Sequence, residues 1–199
     1  MSYSLARYVS SEAPDGLALV QGLLNTRGIG EKAVDLLADQ RTANRWLREA
    51  TAAWARKTGR DVAVETAKTV AEPLDRASLV ALVKLRNEVL SYVTGEVVTS
   101  GPASLSLLRG ETGDLRLEAD GVGIARATST VWLEIFLAQQ NGTLRRLKLC
   151  RNQSCGSAFY DRSKNSSAVW HDVGTCGNRA NLKASRARRR MGAPATIGR

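Results

Sequence analysis

The 199-residue chain is long enough for one well-packed domain with a small appended module, and its 43% hydrophobic and 24% charged residues describe an ordinary globular protein. No run of about 18 apolar residues predicts a membrane-spanning helix, and the opening MSYSLARYVSSEAPDG lacks the basic-then-apolar order of a secretory signal, so a cytoplasmic location is expected. The net charge of +10 sits at one end: from Leu144 onward thirteen basic residues face two acidic ones, leaving sixteen basic and seventeen acidic upstream, and such a basic end predicts a polyanion as partner.

In chain order, Asp15 is the expected cap of a helix over GLALVQGLLNT, where Leu17, Val20, Leu23 and Leu24 fall on one face. Arg27 to Gly30 break that element. A second helix is predicted over Glu31 to Ala38, with Val34, Leu36 and Leu37 as its apolar contacts. A third, opened by Thr42 or Asn44, places Trp46, Ala50 and Trp54 on one side and stops at Gly59. The valines of DVAVETAKTVAEPL suit strand or helix equally, and Pro73 limits the segment.

The clearest helix is DRASLVALVKLRNEVLSYVTG, capped by Asp75 and ended by Gly95, with Leu79, Leu82, Val83, Arg86, Val89 and Leu90 on one face. Residues 96 to 113 read as a loop. DLRLEADGVGIARA alternates on either side of Asp120-Gly121, the pattern of a short hairpin. Ser129 or Thr130 is the expected start of a helix over VWLEIFLAQQ, which Asn141-Gly142 stops.

All three cysteines and the only histidine fall between 150 and 176: Cys150, four residues, Cys155, fifteen residues, His171, four residues, Cys176. Two close pairs separated by a loop suit a tetrahedral zinc ion, because each short spacer folds two ligands onto one centre. Chance burial of small cysteines is the plain alternative, but it would have to gather every soft ligand into one short stretch. Four protein ligands leave no open position for water or substrate, and the nearest acids are Asp161 and Asp172, so one closed, structural zinc ion per chain is expected.

LRRLKLC and SAFY alternate like two strands that carry Cys150 and Cys155 at their turn, and Cys176 precedes a segment of good helix formers. Hairpin, loop, ligand and helix follow the order of a treble-clef finger, with Trp170 expected in its small core. In the terminal helix Arg179, Lys183, Arg186 and Arg190 recur on one face, Arg188 and Arg189 widen it, and Ala180, Ala184, Ala187 and Met191 form a neighbouring face suited to pack on the finger. Six basic residues in twelve positions without an acid predict phosphate contacts, against the simpler reading of a solvated or protein-contacting helix. Asn178 is placed to cap that helix or to reach a base edge.

CGNR at 176 to 179, preceded by Trp170 and by FYDRS at 159 to 163, resembles the CGNR zinc-finger family. The family pattern has a cysteine after the tryptophan where this chain has His171, a change that keeps four ligands but replaces one thiolate with an imidazole. LALVQGLLNTRG and VKLRNEVL resemble the ABATE domain that precedes the finger in such proteins. The resemblance implies a bacterial, stress-induced transcription regulator whose finger binds DNA and whose helical body senses a small-molecule effector.

The expected architecture is therefore α+β: a helix-rich domain over residues 1–143 with a small antiparallel hairpin, then a treble-clef-like finger over 144–199 ending in a basic helix. The expected function is zinc-dependent DNA binding, without catalysis, since no nucleophile-and-base motif, phosphate loop or dinucleotide signature is present. A small-molecule sensor whose finger mediates dimerisation or protein docking, and an RNA-binding factor, are the alternatives. Homo-oligomerisation is left open, and no membrane partner is expected. Asn25, Thr26, Arg27 and Arg86 are candidates for an effector pocket, against a simpler reading in which the first two cap a helix end and Arg86 pairs with a carboxylate.

Overall fold

A computed structural model describes residues 11–28, 34–60, 74–96, 103–111, 113–152 and 154–192. Helix α1, Leu17–Leu24, is its hub: all eight residues are buried, and it meets α2 (Gln40–Thr58), α3 (Arg76–Thr94), α4 (Gly123–Gln140) and strand β4 (Ala158–Tyr160). A helix enclosed on every side needs apolar residues all round, which LALVQGLL supplies except at Gln21. Asp15 does not cap it. That residue has φ +46°, Gly16 occupies the cap without a side-chain bond, and the carboxylate of Glu134 from α4 packs so closely on Gly16 that a Cβ there would collide with it. Glu134 also accepts from Trp54 Nε1 at 2.9 Å and Arg60 Nη1 at 2.6 Å.

Helix α2 buries Ala43, Trp46, Leu47, Ala50 and Trp54 and ends at Gly59 with φ +63°, a conformation glycine adopts freely. Its cap is Asp39, which accepts from Thr42 N at 2.9 Å, rather than Thr42 or Asn44. Thr42 instead donates its hydroxyl to Asp39, and Asn44 accepts from Leu74 N. No helix covers 34–38: Asp35 folds this stretch into a turn, Leu36 and Leu37 enter the core, and Val34 is 63% exposed. The remainder of that expected helix, and the ambiguous segment at 61–73, lie outside the described residues. Helix α3 follows the expected capping, with Asp75 accepting from Ser78 N and Gly95 at φ +81°.

The segment read as a loop contains strand β1, Leu105–Arg109, which pairs antiparallel with β2, Leu115–Ala119, placing Leu107 opposite Leu117. The hairpin turn is at 110–114, closed by Gly110 N to Asp114 O at 2.8 Å, and not at Asp120-Gly121. Gly121, at φ +100°, turns the chain into α4 instead; an Asp-Gly pair encodes positive φ, which a strand-to-helix turn uses as readily as a hairpin. Helix α4 starts at Gly123, six residues before Ser129, so Ser129 and Thr130 are buried interior positions.

A 3-10 turn, Leu144–Arg146, leads into β3, Leu147–Leu149, which pairs with β4 in the register Leu147 to Tyr160 and Leu149 to Ala158. A π-helical turn, Val173–Gly177, then opens α5, Asn178–Gly192. The architecture is α+β, with two small antiparallel hairpins among the helices, as expected. One apolar core joins α1, α2, α3 and α4 to Leu147, Ala158 and Tyr160 of the second hairpin. Each large aliphatic side chain fully removed from water contributes about 1.5–3 kcal/mol, so the body's core holds this hairpin in place. No helix among the described residues is long and apolar enough to cross a membrane.

Candidate metal centre

The hairpin β3–β4 presents the first pair of ligands. Cys150 extends the ladder through its N–H to Ser157 O at 2.8 Å, and Asn152 then shapes the turn. Its carbonyl accepts from Cys155 N at 2.7 Å and Gly156 N at 3.1 Å, with Gly156 at φ +63°. The second pair arrives on a loop organised by Asp161, which is 1% exposed and accepts from Lys148 Nζ at 2.7 Å and from the N–H groups of Ser163 and Ala168 at 2.9 Å each. Burial alone would raise the pKa of this carboxyl, but those donors outweigh it and hold the group well below the usual carboxylate range. Arg146 adds bonds to the carbonyls of Asp161 and Ser163.

Cys176 rides on the π-helical turn before α5. Asp172 caps that turn, accepting from Thr175 N at 2.6 Å, while its carbonyl accepts from Cys176 N and Gly177 N. Gly177 lets the turn lie against Trp170, which is half-buried: a Cβ there would stand 3.2 Å from the indole Cδ1.

The ligand atoms of Cys150, Cys155, His171 and Cys176 all lie within 4.8 Å of one another, with Cys155 Sγ and His171 Nδ1 at 3.3 Å. Zn–S bonds of about 2.3 Å and Zn–N bonds of about 2.0–2.1 Å require ligand atoms roughly 3.5–3.8 Å apart at the corners of a tetrahedron. These four residues therefore fit one zinc ion, and His171 completes the set. Cys150 and Cys176 are buried, Cys155 and His171 half-buried. Burial, reinforced by the neighbouring Cys150 and Cys176 sulfurs, pushes the Cys155 thiol up to about 12. A divalent cation at the centre of the cluster reverses that balance, because it favours each thiolate directly.

Residues 146–189 match the CGNR zinc finger. No curated protein matches the chain. The CGNR finger thus covers the Cys/His cluster, the FYDRS loop and most of α5. Sequence reasoning found its four ligands but missed Asn152, whose Nδ2 donates to Cys176 Sγ at 3.3 Å and so ties the first ligand turn to the second. It also named Asp161 only as a nearby acid. A polar residue between paired cysteines, and an acid that follows the second strand and faces a basic one, were the available signals.

Beyond its base the terminal helix departs from expectation. Asn178 donates to Gly174 O at 2.9 Å and closes the turn. Arg179, Lys183, Arg186, Arg188 and Arg189 are exposed, with no anionic partner among the described residues. Ala180 is half-buried, but Ala184 and Ala187 are exposed, so the alanine face does not pack on the finger past the first turn. The physical reason is reach: α5 meets the rest of the finger at the turn Val173–Gly177 and projects away from it. The side chains of Arg190 and Met191 lie outside the described residues.

Asn25, Thr26, Arg27 and Arg86 do gather at one end of α1, and their hydrogen bonds run to the protein's own groups. Asn25 clamps β4, donating to Ala158 O at 2.9 Å and accepting from Ala158 N at 2.8 Å. Thr26 donates to Leu23 O and accepts from Arg86 Nη1, which also pairs with Asp35 at 2.7 Å. Arg27 reaches Gly156 O at 3.3 Å, on the finger's ligand turn. Arg86 Nε is buried without a hydrogen-bond partner among the described residues.

Proposed function

We propose that this protein is a zinc-dependent DNA-binding regulator of transcription, a binding protein rather than an enzyme, in which the CGNR finger presents α5 to the phosphate backbone. One observation carries the reading: a helix with five exposed cations, and no neutralising anion among the described residues, is rooted two residues past a metal ligand. Like charges on adjacent turns repel one another, and a polyanion relieves that repulsion while releasing its own counterions. The bound zinc supplies a rigid cross-link between the two ligand pairs. Asp172 and Asn178 set the direction in which α5 leaves the turn, and Arg179, Lys183, Arg186, Arg188 and Arg189, continued by Arg190, meet phosphates. The helical body, in this reading, is an ABATE-like sensor of stress.

The test is a binding titration of zinc-loaded protein with duplex DNA across a range of salt. Affinity should fall with log[salt] at a slope of roughly −0.9 per phosphate contacted. Replacing Arg179, Arg186, Arg188 and Arg189 by alanine should flatten the slope and leave thermal stability nearly unchanged, because these side chains are exposed and form no ion pair among the described residues. Equal affinity of the wild type and this variant for DNA would sink the proposal, and preference for a single-stranded RNA over duplex DNA would move it to the RNA-binding alternative.

A further inference from the structure

A groove of about 860 Å³ runs along the seam where the body meets the finger. One wall is the last turn of α3, with Tyr92 and Val93; another is the end of α4, with Gln139 and Gly142. The third is finger strand β3 and its continuation to Arg151, together with Ala168 and Val169 of the ligand-bearing loop. Its volume lies within the roughly 300–1,000 Å³ of small-molecule sites.

The lining has a definite chemistry. Its floor is apolar, formed by Leu144, Leu147 and Leu149 with Val93 and Val169, and Tyr92 is fixed by its hydroxyl donating to Gln139 Oε1 at 2.9 Å and by an edge-on contact with Trp132. Three cations and no carboxylate line it. Lys148 is already neutralised by the buried Asp161. Arg145 and Arg151 are exposed and form no ion pair among the described residues; Arg145 donates only to Gly142 O. An apolar trough flanked by two guanidinium groups complements an organic anion with an apolar body: burial of the body releases water, and a planar carboxylate matches the fork of a guanidinium. Duplex DNA has phosphates for the two arginines but nothing for the leucine floor.

We propose that this groove binds an amphipathic carboxylate, its apolar body on Leu144, Leu147 and Leu149 and its carboxylate paired with an exposed guanidinium at the rim, Arg145 or Arg151. The site is separate from Asn25, Thr26, Arg27 and Arg86, and it stands whether or not α5 binds DNA. Its occupant touches α3, α4 and β3 together, so it braces the strand that delivers Cys150 against the body.

The experiment uses the full-length, zinc-loaded protein and the fluorescent anion 8-anilinonaphthalene-1-sulfonate as probe. A saturable, one-site rise in fluorescence is expected, displaced by decanoate and not by decanol at the same concentration. Arg145→Gln with Arg151→Gln should weaken both ligands by about tenfold or more, while Arg109→Gln with Arg116→Gln, on the distant hairpin, should leave them unchanged. Unaltered binding in the first pair of substitutions, or equal displacement by decanol, overturns the proposal. So does a result in which decanoate fails to bind while the same pair costs as much DNA affinity as the α5 alanines, because the groove is then a phosphate surface. Both pairs replace exposed arginines, and near-UV circular dichroism checks that each variant keeps native packing.

Discussion

Helices α1 and α5 solve the same problem in opposite ways. α1 is eight residues long, without a charge, and buried throughout, so tertiary packing holds a segment far too short to be helical alone. α5 is nearly twice as long, carries a basic side chain on almost every turn, and meets the described residues of the protein chiefly at its base. The first is secured by the core and the second by ligand chemistry two residues before it begins. A perturbation of the core and a perturbation of the metal centre should therefore damage different halves of the molecule.

The largest expected effect comes from Cys176→Ser. Structural zinc in finger modules contributes an apparent binding free energy on the order of 10–16 kcal/mol at neutral pH, and a hydroxyl in place of a thiolate forfeits much of it. Zinc content measured by elemental analysis should drop, and amide exchange over 161–177 should quicken steeply. Exchange in α1 should hardly change, because Leu147, Ala158 and Tyr160 still seat the hairpin in the body's core. Leu23→Ala makes the opposite cut: a cavity at a fully buried position should cost about 2–5 kcal/mol in urea unfolding while the protein retains one zinc per chain. Global unfolding of Cys176→Ser would dissolve the distinction between the two regions.

A smaller effect is expected at the joint between them. Asn25 satisfies both backbone groups of Ala158, so Asn25→Ala leaves a buried N–H and a buried C=O with one partner fewer and should destabilise by about 1–3 kcal/mol. Urea unfolding followed by tryptophan fluorescence measures it. No change would show that the clamp is replaceable by water, and that apolar contact with the remaining hydrogen bonds, such as Arg27 to Gly156 O, suffices to join body and finger.

How far the sequence could be read follows the same division. Asp75, Gly95, Gly59 and the cysteine spacing act within a few residues of themselves, and these features stand where they were expected. Asp15 misled because the acid at the start of α1 is Glu134, brought by a fold that no local pattern encodes. Asp120-Gly121 misled because positive φ has more than one use, and Ser129 because a buried hydroxyl inside a helix looks in sequence like a cap. The role of Asn25 was out of reach, because it bonds a strand 133 positions away; Asn152 offered only its place between two cysteines, and its bond to a sulfur 24 positions away follows from the fold.

An effect of similar size, and the one that isolates the loop between the ligand pairs, belongs to Asp161. Its folded-state pKa lies below the unfolded value of about 3.9. The stability it contributes is thus fully present above that value and is lost as pH falls through the folded pKa. Asp161→Asn keeps the size and one acceptor oxygen but removes the charge that faces Lys148 Nζ. At neutral pH the variant should be less stable by about 1–3 kcal/mol, and the gap to wild type should narrow as both proteins are acidified below about pH 4. A gap that stayed constant down to pH 2 would mean that shape at position 161, and not its ionisation, organises the loop that carries His171 to the cysteines.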